Sequence, residues 1–308
     1  MGGIHADQVF LRVPCSDVSF DRSLSSQAPF FDNPVLDPQL TRPSRGEDLT
    51  PRTFVLKIVY LWSGITHFVS TSAHHSASTY AQRYEAYLAD ILSNLSDWLN
   101  NLPGDQHISP ANLQAAFDQH TMGCMVTMHA LYNIGGLIAT RHVHHALLSP
   151  MAVQRNIRLA CYHAQQILRM ASVLCTYGQH LPENQGLHGM LSPAIASAIF
   201  LAIDTITAGG CTSDLEATLA AVMDGRKILQ VLGHIWSIAR ILSKQTEKRA
   251  VELQELLHNP GSPRSAHIRS EHGTWRLDAS MEPIHEPHYD VMYGVNSQSF
   301  FDALQSRG

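Results

Sequence analysis

The chain has 308 residues and a formal net charge of −5, with 44% hydrophobic but only 15% charged residues. That length is enough to bury a substantial core, and the low charge excludes a highly charged disordered polymer. The acidic balance, with no run of Lys or Arg, also excludes the basic face by which a module grips nucleic acid through its phosphates.

Residues 1–49 are broken by Pro14, Pro29, Pro34, Pro38 and Pro43, which no helix sustains. Phe10, Leu11, Val13, Phe20, Phe30 and Phe31 lie between them as apolar anchors. The segment reads as an extended strap on a helical body. It has no signal-peptide core, and Ala6 breaks the myristoylation pattern.

Residues 50–258 read as helices almost throughout. Thr50-Pro51, Ser109-Pro110, Ser149-Pro150 and Ser192-Pro193 are four starts of one type. The hydroxyl caps free N–H groups of the first turn, and proline sits where its missing N–H has no partner to lose. Ser213 with Glu216 predicts a fifth start, as a capping box.

Stripes at the helical repeat follow. Tyr80, Tyr84, Tyr87, Ile91, Leu95 and Trp98 form one; Ile157, Cys161, Ala164, Ile167, Ala171 and Leu174 a second; Ile228, Leu232, Ile235, Ala239 and Leu242 a third. Segments 54–69 and 195–206 are apolar nearly all round, so they are expected to be the central helices. The richest uninterrupted apolar runs, at 54–62 and 195–203, are too short for a bilayer, and no membrane span is expected. Lys244, Lys248 and Arg249, interleaved with Glu247 and Glu252, read as a solvated, salt-bridged face.

Residues 259–308 are polar and punctuated by proline, with Trp275, Tyr289, Tyr293, Phe300 and Phe301 scattered through them. A mostly disordered tail is expected there, with a short helix near 297–305. The expected architecture is therefore all-α: an irregular multi-helix bundle over 50–258, with an extended N-terminal strap and a disordered C-terminal tail.

No residue is predicted as catalytic, cofactor-binding, metal-binding or DNA-binding. The five cysteines, Cys15, Cys124, Cys161, Cys175 and Cys211, are scattered without a C-x-x-C pair, which fits a reduced compartment. His142, His144 and His145 form the densest of the histidine groups. His142 and His145 would share a helix face, but a structural zinc site wants four ligands and none lies at a matching offset. His74-His75 reads as solvated. Gly135-Gly136 reads as close helix packing. Cys161 and His163 point to different faces. Asp204 is the residue to explain: a lone acid in AIFLAIDTIT needs a partner or a raised pKa. Pairing with an Arg or a helix terminus is the preferred reading, and a ligand contact in a helical cavity the alternative.

Four stretches carry a resemblance: FLRVPCSDVSFDRS, FVLKIVYLWSGITHFV, ALYNIGGLIATRH, and NIRLACYHAQQILRMASVL followed by SPAIASAIFLAID. Their order and spacing over roughly 10–258 resemble the middle homology region of fungal binuclear zinc-cluster regulators, the fungal-specific transcription factor domain. Val13 stands where leucine is usual, and Asn133 where histidine is common. The six-cysteine DNA-reading cluster of that family has no counterpart here, nor has its coiled coil. The resemblance is to the C-terminal part of such a domain, as in a truncated regulator. It implies a nuclear, non-enzymatic regulator of metabolic or secondary-metabolite genes, without DNA binding of its own and with no cofactor. It would act through a protein partner or self-association, with any small-molecule effector unidentified. A helical interaction module and a helical enzyme with a His/Asp-lined cavity are the alternatives.

Overall fold

A computed structural model describes residues 22, 50–72, 76–179, 187, 191–207 and 214–258. The strap and the tail, with His74-His75, Gly209-Gly210 and Ser213, lie outside the described residues. The chain divides into two units, Met1–Lys57 and Ile58–Gly308. Of the first, only Arg22 and residues 50–57 are described.

The described residues are all-α. Eight helices run in order: α1 Pro51–Ser72, α2 Ala77–Asn100, α3 Pro110–Asp118, α4 Met122–Arg141, α5 Pro150–Gly178, α6 Pro193–Thr207, α7 Leu215–Gly233 and α8 Ser237–His258. Short 3-10 turns at Gly104–Gln106 and His145–Leu147 punctuate the loops. Proline opens α1, α3, α5 and α6, as their Ser/Thr-Pro starts predict. Ser109 Oγ accepts from the Asn112 amide (3.1 Å) and Ser149 Oγ from the Ala152 amide (3.2 Å). The fifth start differs by one residue. Asp214 caps α7, its carboxylate accepting from the Ala217 amide at 2.9 Å.

One of the two expectations about the core is corrected. Of the two segments apolar all round, α6 is central: twelve of its fifteen residues are buried. α1 is not, and Leu56, Val59 and Tyr60 face outward from it. The second central helix is α4, with sixteen of twenty residues buried. Its polar residues hid it from a hydropathy reading, because His129, Asn133, Thr140 and Arg141 all point inward. α4 packs on α2, α3, α5 and α6, while α6 packs on α4, α5, α7 and α8.

Gly135 and Gly136 permit that packing. A Cβ on Gly136 would run into the His163 ring, and one on Gly135 would sit 3.0 Å from Ile65 Cδ1.

The third predicted stripe is broken. α7 ends at Gly233 and α8 starts at Ser237, so Ile235 is 48% exposed while Ala239 and Leu242 are buried. The Trp236 amide donates to the Leu232 carbonyl (2.8 Å) and turns the corner. In α2, Leu88 takes the buried position assigned to Tyr87, whose ring stacks on Phe68 instead (3.4 Å).

Counting uninterrupted apolar residues also underestimated helix length. α1 and α4 are both long and apolar enough to cross a membrane by length and composition, with 28% and 78% of their apolar windows buried. For α4 that burial is the mark of a core helix.

Candidate functional site

α6 brings Asp204 into the middle of the bundle, where it is 2% exposed. A carboxylate there needs compensating charge. Two guanidiniums supply it. Arg141, the last residue of α4, pairs through Nη2 with Asp204 Oδ2, and Arg249 of α8 pairs through Nη1 with Oδ1. Arg141 lies where the helix dipole favours a cation.

Threonines complete the cage. Arg141 Nη1 donates to Thr205 Oγ1 (2.8 Å) and the Leu201 carbonyl (3.4 Å). Arg249 Nη1 donates to Thr207 Oγ1 (3.2 Å). Thr205 and Thr207 donate in turn to the Leu201 and Ile203 carbonyls of their own helix, at 2.8 and 2.7 Å. Burial alone would raise the Asp204 pKa, but the two guanidiniums outweigh it and hold the carboxyl below its usual range. The residue is a fixed anion joining α4, α6 and α8.

Of this cluster, sequence reasoning found Asp204 and the need for a partner. It missed Arg249, which the Lys/Glu-rich context assigned to the solvated face; the structure buries it to 2% exposure. The missed signal was register. Leu242, Thr246, Arg249 and Leu253 follow the helical repeat, and all four are buried.

Of the RHVHH group only Arg141 is on an α-helix. α4 stops at Arg141 and His145 opens a 3-10 turn, so the three-residue spacing of His142 and His145 does not place them on one helix face. Both are buried. His145 Nε2 donates to the Thr140 carbonyl (3.2 Å). Burial, with nearby Arg141, pushes His142 down to about 3, and burial pushes His145 down to about 4. His144 is only half-buried; its amide donates to Tyr80 Oη (2.9 Å).

A second buried polar chain joins α4 to α5. His129 Nε2 donates to the Gln106 carbonyl (2.8 Å), Asn133 Nδ2 to the His129 carbonyl (2.9 Å), and His163 Nδ1 to Asn133 Oδ1 (3.1 Å). His163 is thus engaged away from Cys161, and burial pushes it down to about 4. Cys175 Sγ donates to the Asp224 carbonyl (3.2 Å), and burial pushes its thiol up to about 11, which suppresses the nucleophilic thiolate. Among the described residues no group of three His, Cys, Asp or Glu is placed to hold a metal ion.

The remaining chemical feature is apolar exposure. Ile235, Trp236, Ile238 and Ile241 gather at the α7–α8 corner, and Leu147 and Met151 at the start of α5; each is at least 36% exposed. No family model, no curated protein and no solved structure matches this chain.

Proposed function

We propose that this chain is a helical regulatory module of the fungal zinc-cluster transcription factor type, working in the nucleus through a protein partner and without enzymatic activity. One observation carries the reading. The motif stretches from FVLKIVYLWSGITHFV onward fall on α1, α4, α5 and α6, and the last three pack on one another, while FLRVPCSDVSFDRS lies outside the described residues. The arginine near the end of ALYNIGGLIATRH is Arg141, and the acid ending SPAIASAIFLAID is Asp204, so the two motifs meet in an ion pair. In this reading, target choice falls to whatever the module binds. The nuclear setting and the link to metabolic genes rest on the resemblance alone.

The test is a reporter assay with the chain fused to a heterologous DNA-binding domain. A several-fold change in output, lost in D204A, is expected. Unchanged output from a folded, nuclear fusion would reject the reading.

A plain helical interaction module is the second reading, favoured by the exposed Ile235, Trp236, Ile238 and Ile241. It predicts partner binding that W236A/I241D weakens and no effect on the reporter. The enzyme reading has less support: Asp204 is held in two buried ion pairs, and His142 and His145 are neutral and enclosed.

A further inference from the structure

α5 is 29 residues long and contains three arginines but no Asp or Glu. Met151, Arg155, Arg158, Tyr162 and Arg169 recur at spacings of four, three, four and seven, so they line one face. Met151 is 81% exposed and Tyr162 50%. Arg155 is held by Glu85 of α2 in a bidentate pair (2.6 and 3.1 Å). Arg158 and Arg169 are exposed, and neither makes an ion pair with any described residue. They lie about 16 Å apart along the helix, with Tyr162 between them.

Beneath Tyr162 the rings continue inward. Its ring meets His163 edge-on (5.3 Å), His163 meets Tyr132 (5.8 Å), and Tyr132 stacks on Trp98 (5.6 Å). A basic, aromatic-backed stripe therefore stands on a chain whose net charge is −5.

The same sequence contains its chemical complement. Residues 271–293 carry Glu271, Asp278, Glu282, Glu286 and Asp290 against the single Arg276, with Trp275, Tyr289 and Tyr293 among them. We propose that this acidic, aromatic segment of the chain docks on the Arg158–Tyr162–Arg169 face of α5. Its carboxylates pair with the two arginines, and its aromatic residues cover Tyr162 and Met151. α8 ends at His258, and the residues from 259 to 270 extend to about 40 Å. The proposal stands on charge and exposure, and holds whether or not the reporter responds.

Photo-crosslinking of the full chain tests it, with Tyr162→p-benzoylphenylalanine as the probe. Expected are cross-links to residues 271–293 of the same molecule, and a yield about fivefold lower in high salt, which screens exposed charge. R158E/R169E lowers the yield similarly with helical circular dichroism unchanged, and adding E282K/E286K/D290K restores it. A covalent dimer as the main product, cross-links confined to other residues, no cross-link, or a yield indifferent to salt overturns the proposal. So does charge exchange without recovery.

Discussion

Asp204 shows how a single residue sets the terms for its neighbours. With one anion and two cations in the cluster, removing the anion leaves two buried guanidiniums facing each other. D204A is therefore expected to destabilise the protein by about 3–5 kcal/mol, measured by urea denaturation. Replacing all three residues by apolar ones of similar volume, as in R141M/D204L/R249M, is expected to cost much less, because no charge is then left buried. A triple variant weaker than D204A would show that the pairing itself carries the stability.

The buried histidines act in the same way through protons. His142, His145 and His163 are held near 3, 4 and 4 in the fold, against about 6.5 when unfolded. As pH falls below about 6.5, the unfolded chain takes up protons that the folded one refuses, so stability drops. It is full above that pH and is lost progressively toward pH 4, by roughly 1 kcal/mol per pH unit for each histidine. Melting temperatures measured from pH 7.5 to 5 should fall steadily, and H163Q should give a shallower decline.

At the scale of the helix, close approach is the controlling feature. G136A places a methyl group in the His163 ring, so α4 and α5 must separate or the ring must turn away from Asn133. A loss of about 1–3 kcal/mol follows. G104A, with nothing within 4 Å of its added carbon, serves as the control in the same thermal melts.

Helix starts were legible because their chemistry is local: Ser109-Pro110 and Ser149-Pro150 need no tertiary partner to be recognised. The stripe of α5 was legible because its buried face is mostly apolar, with only Asn156 and His163 as polar exceptions. The identity of the second central helix was not, since α4 buries His129, Asn133, Thr140 and Arg141: Thr140 is satisfied by its own helix, while His129, Asn133 and Arg141 find partners on other elements. The α7–α8 corner was hidden because Ile235 continues the apolar period across a break that only the packing of Gly233 against Arg240 reveals. For the same reason half of the charge cluster was readable: Asp204 stands alone in an apolar helix, whereas Arg249 sits among charges that are solvated.

For the whole molecule, the exposed apolar corner at Ile235, Trp236, Ile238 and Ile241 has the character of a surface that another body covers. The purified chain is expected to bind a hydrophobic dye and to elute as an associated species at high concentration, with W236A/I241D lowering both signals. A dye-silent monomer before substitution would count against that use of the corner.

The cluster of Arg141, Asp204 and Arg249 has a consequence for descent as well. A change at Asp204 alone strands two guanidiniums in the interior, whereas a change at either arginine leaves the other still paired with the carboxylate, so the single step that removes the acid is the one most penalised. In an alignment of related chains, an apolar residue at position 204 should therefore be rare wherever arginine stands at position 141 or 249.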